Sequence, residues 1–138
     1  MEAQDEMIPA SNAHLRIGDA CFMPLPDGRY VPFIYVGKRG KDRAYFFGAL
    51  ADAVVNAPEI DQLPPRITLG EHALVHIKCY RENRTPIVGN VLDRLDGKQI
   101  ENIASDIVDS GVGHVTRVWG WRTIAREAIE LAESGARN

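Results

Sequence analysis

Residues 18–37 confine this chain to a narrow set of folds. They read Gly-Asp-Ala-Cys-Phe-Met-Pro-Leu-Pro-Asp-Gly-Arg-Tyr-Val-Pro-Phe-Ile-Tyr-Val-Gly. Two apolar, β-rich runs flank Pro26, Asp27 and Gly28, and a glycine closes each outer end. Asp-Gly between such runs marks a tight β-hairpin, because the turn needs positive φ and glycine supplies it without steric cost. The first strand is expected over 16–25 and the second over 29–36. Pro32 cannot donate to a ladder, which predicts an edge position or a bulge for the second strand. A third strand is expected over 43–50, through Tyr45, Phe46 and Phe47, so the chain begins as an antiparallel meander.

The remainder mixes strands with helices. Residues 56–65 carry Pro58, Pro64 and Pro65 and read as a loop. Residues 71–80 alternate: Ala73, Val75, Ile77 and Cys79 share one face, and His72, Leu74, His76 and Lys78 share the other. Residues 81–84 read as a polar turn, and 85–92 as an extended stretch broken by turns. Ile100, Ile103, Ala104, Ile107 and Val108 form the stripe of an amphipathic helix over 99–109. A short strand is expected over 114–119. The clearest helix spans about 121–134, with Trp121, Ile124, Ala125, Ala128, Leu131 and Ala132 on its buried face and Gly135 as its stop. This order predicts an α+β fold: a strongly bent antiparallel sheet or partial barrel covered by one or two helices. A flexible lead-in over 1–14 and one domain over 15–138 suit a chain of 138 residues.

Charge and composition exclude several functions. Sixteen basic and 19 acidic residues give a net charge of −3, whereas a general nucleic-acid binder needs a basic field to meet phosphates. The acidic N-terminus has no apolar signal-peptide core, and no run approaches the roughly 18 apolar residues of a membrane span. The expectation is a cytoplasmic protein. Cys21 and Cys79 lie in apolar runs and read as reduced, buried thiols.

Catalytic signatures are equally scarce. His72 and His76 on one strand face stand roughly 13 Å apart, too far to ligate one metal. Cys79 faces away from His76, so the two cannot form a nucleophile–base pair. Gly111-Val112-Gly113 precedes a strand-like run, not a helix, and fails as a dinucleotide fingerprint. None of the serines sits in a nucleophile elbow. No catalytic residue, metal or cofactor is therefore expected. Two charged stretches stand out. Asp93, Asp96, Glu101, Asp106 and Asp109 outnumber Arg94 and Lys98, and such a segment suits docking of a basic partner. Residues 38–43 form a basic turn, a surface that suits phosphate. The aromatic residues Tyr30, Phe33, Tyr35, Tyr45, Phe46 and Phe47 are expected in the core, with any exposed subset forming an interaction patch.

The opening Gly18-Asp19, its apolar run and Pro24-Leu25-Pro26-Asp27-Gly28-Arg29-Tyr30 resemble the start of the immunity protein 26 family of bacterial polymorphic toxin systems. Arg84-Thr85-Pro86-Ile87-Val88-Gly89-Asn90 is similar to that family's Trp-Pro-x-Ile-Gly segment, with Thr85 at the aromatic's place. The resemblance covers about residues 16–92. It implies a non-enzymatic cytoplasmic protein that neutralises a cognate protein toxin by stoichiometric binding. On that reading the charge pattern puts the acidic residues of 93–109 in the contact surface, together with the exposed side of the hairpin. Two alternatives stand beside it. One is an interaction or structural module, self-associating through an exposed sheet edge. The other is a small-barrel ribonuclease, since such toxins also open on Gly-Asp; it would need Asp27 with Arg29 or Arg43.

Overall fold

The computed structural model describes residues 8, 14–37, 45–109 and 118–136, with backbone alone at 71, 104–109, 118, 135 and 136. The expected basic turn at 38–43, the break at 110–113 and most of the lead-in lie outside these residues. The fold is α+β. Strands β1 (Asp19–Pro24), β2 (Tyr30–Gly37), β3 (Tyr45–Ala51) and β4 (Leu69–His76) form an antiparallel meander. Helix α1 (Lys78–Glu82) follows, then β5 (Gly89–Asn90), α2 (Gly97–Asp109), β6 (Val118–Trp119) and α3 (Trp121–Ala136). The sheet order is β5-β1-β2-β3-β4-β6, so it stays open. It is antiparallel except at its last pair, where β6 runs parallel to β4. Register shifts at Tyr35/Gly37 and Ala49/Ala51 bend it, because an extra residue on one strand increases local twist.

The hairpin turns as its residues require. Gly28 N donates to Leu25 O at 3.1 Å and Leu25 N to Arg29 O at 2.7 Å, with Gly28 at φ +90°. This is a three-residue loop in which glycine takes the left-handed position. Asp27 completes the turn by accepting from Arg29 N at 3.0 Å and Arg29 Nε at 2.8 Å.

Both faces of the sheet are covered, which explains why β1–β3 are apolar at nearly every position. Alternate residues Cys21, Met23, Val31, Phe33, Tyr35, Phe46, Leu50, Ala73 and Val75 face a core closed by α1 and α3. The expected face of α3 is borne out: Ile124, Ala128 and Ala132 are buried there, with Trp121, Ala125 and Leu131 packed against them. Trp119 is buried in the same core. The intervening residues Ala20, Phe22, Ile34, Val36, Phe47, Ala49 and Leu74 face a second core, closed by Val55, Leu63, Ile67, Val91 and Ile103 of α2.

Four expectations need correction. Pro32 is at neither an edge nor the bulge: β2 lies between β1 and β3, its register shift falls at Tyr35/Gly37, and Pro32 pairs with Phe22. Tyr30 exchanges both backbone hydrogen bonds with Val55, so by alternation the nitrogen of Pro32 also faces the β3 side. The regular β2–β3 ladder stops there, at Phe33–Leu50, so no donor is needed. Secondly, β4 ends at His76 and Cys79 lies in α1, not in a strand. Thirdly, the polar turn is confined to Asn83 and Arg84, because α1 takes Arg81 and Glu82. Finally, Gly135 does not stop α3, which runs to Ala136.

Candidate functional site

The acidic segment begins where the chain leaves β5. Asp93 lies in a 3-10 turn at Leu92–Arg94 and is exposed. Asp96 is exposed but is already engaged by the fold, since its Oδ1 accepts from Lys98 N at 2.8 Å and caps the N-terminus of α2. Glu101 is exposed on the first turns of α2. Asp106 and Asp109 belong to α2, and their side chains lie outside the described residues. Asp93, Asp96 and Glu101 are thus all exposed, and Asp93 and Asp96 border one cleft.

This open cleft of about 530 Å³ has residues 65–68 on one wall and 93–96 with Gln99 on the other. Its walls are tied by backbone: Ile67 bridges to Leu95, and Ile67 N donates to Arg94 O at 2.8 Å. Gln99 continues the tie, its Oε1 accepting from Leu69 N at 3.0 Å and its Nε2 donating to Leu69 O at 3.2 Å. One side-chain amide therefore satisfies both backbone groups of Leu69, as a neighbouring strand would. Arg94 turns inward, donating from Nη1 to Ile60 O at 3.0 Å and Leu63 O at 3.3 Å.

The two segments that carry the family resemblance meet in space. Asp19 pairs with Asn90 and Ala20 with Gly89. Asp19 is buried, and its Oδ2 accepts from Arg16 N at 2.9 Å while its Oδ1 accepts from Asn90 Nδ2 at 2.9 Å. Asn90 also donates to Ile17 O at 3.0 Å and accepts from Leu92 N at 2.9 Å. Gly18 sits under this latch at φ +97°, where a Cβ would lie 2.7 Å from Leu92 N and 2.9 Å from Asn90 Oδ1. The close approach and the positive φ both demand glycine. Sequence reading found these residues as a motif but not as partners, because their pairing spans 71 residues.

The other candidates fall elsewhere. Asp27 and Arg29 pair with each other, at 2.7 Å, on the exposed hairpin tip. The Arg29 hydrogen bonds hold the Asp27 carboxyl below the usual carboxylate range, which makes it a poor base. Arg43 lies outside the described residues. His72 and His76 sit on the sheet face of the second core, against Phe47 and Tyr45 respectively. Among the described residues no group of three His, Cys, Asp or Glu could hold a metal ion. Both cysteines are free and buried, and burial pushes both thiols up, so neither tends toward thiolate. No exposed aromatic patch forms from the hairpin region: Phe33, Tyr35, Phe46 and Phe47 are buried, and Tyr30 and Tyr45 are half-buried.

Tyr80 stands apart. It is fully buried, its ring stacks on Phe46 at 5.5 Å, and among the described residues its hydroxyl has no hydrogen-bond partner. Burial, reinforced by Cys21, Asp19, Tyr35 and Cys79, pushes its phenol well above the ordinary range. Burial and then Asp19 push Tyr35 up to about 12. Removing an unpartnered buried hydroxyl relieves a desolvation cost of about 1 kcal/mol. Tyr80→Phe is expected to raise stability by that amount in urea unfolding. A loss of stability would mean that the hydroxyl is bonded after all.

No model of a known protein family matches the chain. No curated protein matches it, and no solved structure does. Among the described residues, no helix is long and apolar enough to cross a membrane.

Proposed function

We propose that this chain neutralises a cognate bacterial protein toxin by forming a stoichiometric complex, as the immunity proteins it resembles do. The observation that carries the proposal is the latch. The resembling segments, Gly18-Asp19 and Gly89-Asn90, are distant in sequence yet form one hydrogen-bonded unit, Asp19 Oδ1 to Asn90 Nδ2 at 2.9 Å. Gly18-Asp19 match the family's opening and Gly89 its second segment, and the pairing of Ala20 with Gly89 and of Asp19 with the adjacent Asn90 holds the two segments together. The latch leads directly into the exposed acidic stretch at Asp93, Asp96 and Glu101, a surface that suits a basic partner. The protein acts in the cytoplasm, by binding and without turnover.

The test starts with the adjacent genes, where absence of a toxin gene counts against the proposal, and proceeds to co-expression with the toxin found there. Growth should be rescued, and the purified proteins should form a one-to-one complex by native mass spectrometry. Failure to rescue and to bind removes the proposal. Asp93→Lys with Glu101→Lys, which spares the cap at Asp96, should slow association about tenfold at low salt, because surface charge acts mainly on encounter. An unchanged association rate removes the acidic stretch as contact surface.

A further inference from the structure

The cleft between residues 65–68 and 93–99 carries charge of both signs. Its lining holds two arginines, Arg66 and Arg94, and two aspartates, Asp93 and Asp96. A simple cation or a simple anion therefore finds no net attraction there. A ligand with one group of each sign does.

The fold engages two of these four charges. Arg94 Nη1 donates to Ile60 O and Leu63 O, and Asp96 Oδ1 accepts from Lys98 N. Arg66 and Asp93 remain. Both are exposed, and they stand on opposite walls of the cleft. Among the described residues, neither side chain has a hydrogen bond or an ion pair. Two opposite charges thus share one cleft without meeting each other. Between the walls lies the bridge from Ile67 to Leu95, where Ile67 is buried and Leu95 half-buried, so the lining is apolar between its charges.

A volume of about 530 Å³ falls within the range of small-molecule sites. A sphere of that volume is about 10 Å across, room for two or three extended residues at about 3.5 Å each. A single amino acid carries both charges on one carbon, whereas a short peptide carries them at opposite ends. We infer that the cleft binds a di- or tripeptide with free termini, its carboxylate on Arg66, its ammonium on Asp93 and an apolar side chain against Leu95. Arginine meets a carboxylate through two parallel N–H donors, and an aspartate accepts from the ammonium, so the two residues fix the direction of the peptide. This site is independent of the toxin-neutralising reading, and its test needs no toxin.

The probe is leucyl-alanine, titrated into the isotope-labelled chain at about pH 6.5, where both peptide termini are charged. Binding is followed by the amide signals in NMR. Signals from 65–68 and 93–99 should move together. The N-acetyl derivative lacks the ammonium and the C-terminal amide lacks the carboxylate, so each should bind about tenfold more weakly. Asp93→Asn should abolish the loss caused by acetylation, and Arg66→Gln the loss caused by amidation. Both variants should unfold like the parent, because both replaced side chains are exposed. Equal binding of all three compounds, movement confined to signals outside the cleft, or no movement overturns the site and leaves the toxin reading untouched. Losses that survive in both variants overturn the roles of Arg66 and Asp93. Free leucine binding as tightly as leucyl-alanine overturns the peptide in favour of a single amino acid.

Discussion

Gly48→Ala is expected to cost about 3 kcal/mol in urea unfolding, at the upper end of overpacking effects. A Cβ at Gly48 would lie 2.2 Å from Phe33 Cζ and 2.9 Å from both Cε atoms. The ring cannot retreat. Phe33 is fully buried and lies edge-on to Phe46 at 6.2 Å, in the core that α3 closes. Phe46 in turn stacks on Tyr80, so displacement of one ring disturbs a chain of three. Phe33→Leu in the alanine background should recover part of the loss, since a smaller side chain vacates the collision. A cost below about 1 kcal/mol would show that Phe33 moves freely.

The second large effect belongs to the latch. Asp19→Ala should cost about 3 kcal/mol, because it removes a buried charged acceptor and strands the Arg16 N–H and one Asn90 N–H. Asn90→Ala should cost about 2 kcal/mol, since it breaks bonds to Asp19, Ile17 and Leu92 together. The double variant should lose less than the sum by more than about 0.5 kcal/mol, the mark of residues acting as a pair. Strict additivity, measured by equilibrium unfolding, would dissolve the latch into two independent contacts.

Local chemistry made much of this fold readable. Asp27-Gly28 set the hairpin, and the spacing of Ile124, Ala128 and Ala132 set the buried face of α3. Alternation in 71–80 sorted Ala73, Val75, Ile77 and Cys79 to one core correctly, yet hid the end of the strand. Helix α1 is five residues long, too short to show a helical period, and its Cys79 enters the same core that a continued strand would have given it, whereas Tyr80 joins that core only because the chain turns helical. Strand β5 was legible only as part of an extended stretch over 85–92, because Gly89-Asn90 has no strand preference and its pairing with Asp19 and Ala20 is tertiary. The same distinction divides the candidate surface. Its acidity is a property of residue types and was visible at once. The latch beside it depends on Asp19 and Asn90 meeting across 71 residues, and only tertiary pairing brings them together.

That pairing also has a place in time. Strands β1 to β4 join neighbour to neighbour along the chain, whereas Asp19 and Asn90 close a separation of 71 residues. Loop-closure entropy delays such contacts until the meander beneath them exists. The latch is thus assembled after the meander, and a chain still emerging from synthesis cannot close it until residue 90 is in place.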